Sequence, residues 1–433
     1  MSKVLLAVRA AVVVSCISVV ISALTSVLAS DLVAVGPAGA SPPQQARGLP
    51  ALTGVSATWG ASCAAADGGR VWCWGSNSSG ALGPDGVEGF VPRPQRIDGR
   101  WRQLSNADGV SCGVRGRGRG YCWGRNELGQ IARPISGYPQ PRPQRVPGRW
   151  REIITSGSTT CGIRTGGALL CWGYDDHGQA GGVDGLYALE PHLVGRGFVS
   201  VAPGATSCGI KRDGSGWCWG WNLYNQLANG NNTDTGDPQR IPGRWRSIDV
   251  GGTSSCGVRP NGRAACWGQN TNGQVRPGAP SDVEGVSPLP GRWREVSTSA
   301  SAACGITTRG RAACWGWDGT GTVGSGAPAQ VVGIHRFPGR WRVITTRANN
   351  TCGIRTDDRL WCWGSNEHGN VGNGSLEPRF SPHRLTGRWS AVSLAGTHTC
   401  GLRGATAWCW GSGTAGQLGY GGLDDRLAPV RVR

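Results

Sequence analysis

Cys112-Gly-Val-Arg-Gly-Arg-Gly-Arg-Gly-Tyr-Cys122-Trp123-Gly124 places two cysteines with nine residues between them and closes them with Trp-Gly. The arrangement returns as Cys63 with Cys73, Cys161 with Cys171, Cys208 with Cys218, Cys256 with Cys266, Cys304 with Cys314, Cys352 with Cys362 and, one residue shorter, Cys400 with Cys409. Each second cysteine is again followed by Trp-Gly. The pairs recur about every 48 positions, so one unit is copied eight times. A period of roughly 40 to 50 residues marks a solenoid or a propeller.

Aligned on the cysteines, the units share one grammar: Gly-Arg-Trp-Arg, a short alternating run, a small-residue turn, Cys-Gly-Ile/Val, a second turn, Cys-Trp-Gly, a polar Asn/Gly/Gln loop and Pro-x-Arg-Val/Ile. Alternation is plain in Arg151-Glu152-Ile153-Ile154, Arg246-Ser247-Ile248-Asp249-Val250 and Ala391-Val392-Ser393-Leu394, and no repeat sustains a helical period. Four strands of about five or six residues plus turns fill such a unit. The chain is therefore expected to be all-β, a propeller of about eight four-stranded blades, with seven as the rival count. Pro429 to Arg433 reads as the fourth strand of the last unit, in position to pair with the first blade and close the ring.

Trp74, Trp123, Trp172, Trp219, Trp267, Trp315, Trp363 and Trp410, after each second cysteine, are expected to pack between blades. A second set, Trp101, Trp150, Trp245, Trp293, Trp341 and Trp389, follows Gly-Arg, with Phe198 in the matching place of the fourth unit. The arginines beside them are predicted to stack on the rings.

The 433 residues divide into a leader at 1–29, a Pro/Ala-rich linker at 30–50 and the repeats at 51–433. Lys3 and Arg9 precede an uncharged stretch from Ala10 to Ala29, followed by small residues that offer cleavage after Ala29 or Ala40. This reads as a signal peptide, with an uncleaved membrane anchor as the alternative, and in both cases the repeats leave the cytoplasm for secretion or surface display. An oxidising compartment and an even, regularly spaced cysteine set predict one disulfide per repeat, within each of the eight pairs. A turn near Gly116 to Gly118 sets the two cysteines opposite each other, and in the shorter last unit Gly404-Ala405 suits a two-residue turn. Each closed loop contributes about 2 to 3 kcal/mol in the chain-entropy model. Zinc is disfavoured because no C-x2-C occurs and His177, His192, His335, His368, His383 and His398 follow no ligand spacing.

The net charge is +18, and Lys3 and Lys211 are the only lysines, so arginine carries it. The arginines are spread over every repeat rather than gathered in a run, and the bias reads first as the imprint of a GC-rich genome, with binding to an acidic polymer as the alternative.

No nucleophile, acid and base stand together. Tyr174-Asp175-Asp176-His177-Gly178 has no counterpart in the other units and reads as a solvated turn. The loops after the second cysteine differ most between units, and Asn222, Tyr224, Asn270, Trp317, Asp318 and His368 are the candidate binding residues on them. Asn77, Asn231, Asn349 and Asn373 begin N-x-[ST] sequons, which matter only in a eukaryote.

Cys122-Trp123-Gly124-Arg125-Asn126-Glu127-Leu128-Gly129-Gln130, with Gly411 to Gly419, resembles the repeat of the regulator of chromosome condensation family. The resemblance covers about residues 51–433. It implies a propeller, usually of seven blades, and points to the exported, cysteine-bearing branch rather than to nucleotide exchange on a nuclear GTPase. The expected function is a secreted or surface-displayed binding module acting on a protein through variable loops on one rim. Carbohydrate or acidic-polymer binding is the alternative; an enzyme, a cofactor and a nucleic-acid partner are not expected.

Overall fold

The computed structural model describes residues 49–83, 89–183, 185–278, 283–329 and 331–433; the leader, nearly all of the linker and Cys16 lie outside them. Secondary structure among the described residues is strand throughout, apart from one 3-10 turn at Asp67–Gly69.

The strands form seven antiparallel sheets, six of four strands and one of seven. The large sheet is two blades fused through a 16-residue strand, Gln140–Thr155, whose first part pairs back on Arg119–Gly124 and whose last part pairs forward with Thr159–Arg164. Counted by repeat there are eight blades, beginning at Leu52, Trp101, Trp150, Phe198, Ser247, Trp293, Trp341 and Ala391. The rival count of seven falls away, because the fused sheet holds two complete units.

In every blade the two cysteines are direct register partners on the second and third strands, with Cα atoms 4.0–4.1 Å apart, and the predicted bond forms. From blade 1 to blade 4 Cys63 bonds Cys73, Cys112 bonds Cys122, Cys161 bonds Cys171 and Cys208 bonds Cys218. From blade 5 to blade 8 Cys256 bonds Cys266, Cys304 bonds Cys314, Cys352 bonds Cys362 and Cys400 bonds Cys409. The last of these closes a loop one residue shorter, yet its cysteines still face each other, because Arg403 pairs with Thr406 and leaves Gly404-Ala405 as the two-residue turn.

Two glycines of the repeat have distinct tasks. The residue after the first cysteine lies under the first-strand aromatic: a Cβ on Gly113 would stand 2.7 Å from the Trp101 ring, and one on Gly209 would stand 2.8 Å from Phe198. Blade 1 follows the same volume rule, since it has Ala64 there and the smaller Leu52 opposite. The Cys-Trp-Gly glycine sits at a bulge with φ near 100°; on Gly124, at φ 106, a Cβ would lie 2.3 Å from Gly109 O. That close approach lets the amide of Arg125 donate to the same carbonyl at 2.9 Å.

The tryptophan after the second cysteine is fully buried in every blade. Its indole N–H donates to a loop carbonyl of the preceding blade, as from Trp123 to Ala81 O at 2.8 Å and from Trp172 to Gln130 O at 2.9 Å. Trp74 makes the same bond to Gln417 O at 2.9 Å, so blade 1 packs on blade 8 and the ring closes. At the seam between blades 4 and 5 the bond is missing: Trp267 Nε1 and Ser255 Oγ, both buried, have no partner.

Two expectations are corrected. The C-terminal strand, Arg426–Arg431, pairs only inside blade 8; closure comes from the first strand of blade 1, where Leu52 N donates to Ala405 O at 2.9 Å and Ala57 N to Ser393 Oγ at 2.9 Å. The cations stacked on the first-strand rings come from the hairpin between the second and third strands, as Arg115 over Trp101 at 3.8 Å and Arg164 over Trp150 at 3.9 Å. Where an arginine follows the tryptophan it reaches forward instead, as Arg102 does to Trp150 O at 2.9 Å and Arg294 to Arg342 O at 2.6 Å.

Candidate functional site

Register divides the ring into two faces. At one end of each blade lie the start of the first strand, the second hairpin and the end of the fourth strand, as the pairs Trp101 with Arg115 and Arg119 with Arg149 show. This is the hairpin face. The other end carries the turn between the first two strands and the long loop after Cys-Trp-Gly, and is the loop face.

On the loop face the polar signature residues hold the backbone. Asn222 is fully buried; its Oδ1 accepts from Leu227 N at 2.9 Å, and its Nδ2 donates to Asn231 O at 2.9 Å and Thr233 O at 3.1 Å. Asn270 accepts from Val275 N at 2.9 Å and Asp318 from Val323 N at 2.7 Å in the same geometry. These three candidate binding residues are therefore internal loop anchors, wholly removed from solvent. Buried amides without partners are costly, which is why seven of the eight units keep an Asx group here, blade 8 having Gly413 in its place. Asn77 occupies the same place in blade 1, with Leu82 N bonding its Oδ1 at 2.8 Å, so that sequon is closed to modification in the folded protein. Tyr224, Trp317 and His368 are half-buried and reach the surface. They stand on the loops of blades 4, 6 and 7, and the structure does not bring the six candidates into one site.

The loop of blade 3 and its neighbour form a polar aromatic cluster that sequence spacing did not reveal. Asp175 is its buried anchor, accepting from Ala180 N at 2.6 Å and Val183 N at 2.7 Å, and burial pushes its carboxyl up against those bonds. His177 Nδ1 lies 2.7 Å from Asp234 Oδ2, its ring 5.9 Å from that of Trp221, which in turn meets Tyr224 at 5.6 Å. Tyr174 donates to Asp176 at 2.7 Å, and this bond first, then burial, pushes its hydroxyl up to about 12. No group of three metal-ligating side chains occurs among the described residues.

An open cleft of about 410 Å³ lies on this face between blades 1 and 2. Trp59, at the turn of blade 1, is 65% exposed, and Tyr138, on the loop of blade 2, is 82% exposed. The Asp108–Arg125 ion pair, 2.7 Å long, forms part of the wall between them. In the other seven units the matching turns carry only small or polar residues such as Gly157, Gly204, Gly252 and Ala348. Trp59 lies across the turn of blade 8, where a Cβ on Gly396 would meet its ring at 1.9 Å. The signal was available in the sequence: aligning the short turns shows an aromatic at one position out of eight.

Models of the regulator of chromosome condensation (RCC1) repeat match residues 53–81, 245–274 and 357–402. Among solved structures, human WBSCR16 is similar at 16% identity over 84% of this chain and 94% of that one, with a TM-score of 0.58. Yeast RCC1 (Prp20), solved bound to Kap60, is similar at 15% identity over 84% of this chain and 83% of that one, also at 0.58. No curated protein matches the sequence at a significant level. The chain is an RCC1-like β-propeller, with a disulfide in each of its eight repeats.

Proposed function

We propose that this protein is an exported, non-catalytic binding module that takes a protein partner on its loop face, with Trp59 as the anchor. The carrying observation is the exposure of that indole beside Tyr138 in an open cleft, on a rigid ring whose tryptophans after the second cysteine are all buried. A tryptophan in an aromatic-walled recess is the residue type that carries the largest share of binding energy in protein interfaces. Eight cystines indicate an oxidising, extracytoplasmic setting, and the leader read from the sequence supports export. A protein of similar fold, yeast RCC1 (Prp20), has been solved bound to another protein, Kap60.

The test is affinity capture from the native extracytoplasmic fraction with the mature protein and with Trp59→Ala. A partner held by the parent protein and lost by the variant, at unchanged melting temperature, supports the reading. Capture of the same set by both proteins, or of none by either, refutes it.

A further inference from the structure

Closure of the ring makes neighbours of blades 7, 8, 1 and 2, and these four share a surface unit that the other blades do not assemble side by side. In each, an aromatic one residue before the second cysteine is the register partner of an exposed fourth-strand arginine: Trp361 with Arg384, Trp408 with Arg431, Trp72 with Arg96 and Tyr121 with Arg145. Register partners project from the same side of a sheet. A second cation from the hairpin lies over each ring: Arg355 over Trp361 at 4.3 Å, Arg403 over Trp408 at 5.6 Å, Arg70 over Trp72 at 5.8 Å and Arg115 over Tyr121 at 4.9 Å. The four rings are half-buried, their inner edges packed on the seams.

Elsewhere the unit is broken. The ring position is Leu170 in blade 3, Ala265 in blade 5 and Ala313 in blade 6, and the facing residue is Leu193 in blade 3 and Pro288 in blade 5. Blade 4 has Trp217 facing Arg240 but stands alone between incomplete blades. Arginines continue around the whole hairpin face and outnumber its acidic side chains, which among the described residues include Asp67, Asp98 and Asp213, with Glu152, Glu295, Asp357 and Asp358 paired to Arg151, Arg294, Arg359 and Arg342. Arg96, Arg145, Arg240, Arg336 and Arg384 are each followed four residues later by a second exposed arginine. A composition bias alone would scatter arginine over both faces.

We propose that the arc over blades 7, 8, 1 and 2 of the hairpin face binds a linear acidic polysaccharide of the uronic-acid type. Guanidinium forks match carboxylates in bidentate geometry, and the aromatic beside each one, with a hairpin cation over its ring, holds two cations side by side toward the ligand. Repetition from blade to blade suits a polymer that repeats its own charge, since several weak contacts along one chain act together. The oxidising setting favours this ligand over nucleic acid, which offers the same pairing of charge with a flat ring. The site is separate from the Trp59 cleft, on the opposite face.

Affinity electrophoresis of the intact mature protein through gels containing polygalacturonate, with dextran and double-stranded DNA as the other arms, tests the assignment. Expected are retardation by polygalacturonate that weakens as salt rises, no retardation by dextran, and weaker retardation by DNA. Trp361→Ala with Trp408→Ala should weaken retention about tenfold, the equivalent of 1.4 kcal/mol. Arg384→Glu with Arg431→Glu, which removes no packed ring, should do the same and covers the case in which the tryptophan variant fails to fold. Arg244→Glu with Arg292→Glu changes the net charge equally outside the arc and should alter retention less than about threefold. Absence of retardation by polygalacturonate, tighter binding to DNA, or equal losses inside and outside the arc would each overturn the proposal.

Discussion

The two faces are made from the same eight repeats, yet they use their polar residues in opposite ways. On the loop face Asn126, Asn222, Asn270 and Asn366 turn inward and hold backbone amides, Arg125 meets the opposite charge of Asp108, and His177 is held against Asp234. On the hairpin face the repeated arginines stay outside and outnumber the acidic groups, four of which pair with Arg151, Arg294, Arg342 and Arg359. A side chain copied in every repeat arrives at the same height on the ring in every blade, so a weak sequence periodicity becomes a continuous surface. Recognition on the loop face therefore rests on what differs between units, Trp59 above all. On the hairpin face it rests on what is repeated.

The sharpest way to break that comparison is Trp59→Ala. Partner binding should fall by at least about thirtyfold, a hot-spot loss of about 2 kcal/mol, while polygalacturonate retention and thermal melting stay unchanged. A titration calorimeter and the gel assay read the two separately; a fall in both would merge the faces into one site.

Asn222→Ala removes the centre of one loop and leaves buried amides unsatisfied, at a cost of about 2 to 3 kcal/mol in urea unfolding. Retention on the hairpin face should survive it below the transition. Loss of that retention in the folded variant would show that the faces are not independent.

Replacing Cys161 and Cys171 together by serine removes a staple shared by both faces and should cost about 2 kcal/mol, lowering the melting temperature with strand content retained by circular dichroism. Unchanged melting would mean that this pair is not bonded in the isolated protein.

The smallest effect belongs to pH. His398 is fully buried at the closing seam, with Nε2 2.8 Å from Ser62 Oγ, and burial pushes its pKa down from 6.5 to about 3. Between those values the unfolded chain binds a proton that the folded chain excludes, so this group's contribution is present above pH 6.5 and is lost as pH falls toward 3. Burial raises Asp249 to about 6 and Glu295 to about 7, which tilts stability the other way, so the readout is the difference between parent and variant. His398→Gln should flatten the acid side of the melting curve; identical curves would remove His398 from the closure.

Much of this was legible in the chain itself. Cysteine spacing told the number of repeats and the pairing, because register partners in a hairpin are determined by turn length alone; even the shorter unit of Cys400 and Cys409 obeys it. The Asn and Gln of the repeat were visible, but their direction was not: Asn222, Asn270 and Asp318 look like loop decoration until the amides five residues on are seen to need them. Trp59 was legible only by comparing turns, a signal weaker than the fourteen tryptophans that recur in register.

From sequence alone came the repeat, its four strands, the disulfides and the tryptophan layer, all of them consequences of local spacing that one unit can satisfy by itself. Tertiary structure decided the rest: that the ring closes on eight, that Trp361 and Trp408 continue into Trp72 and Tyr121 across the two ends of the chain, and that most of the scattered arginines share one face. Those relations join residues hundreds of positions apart, and only the packing of blade 8 on blade 1 brings them together.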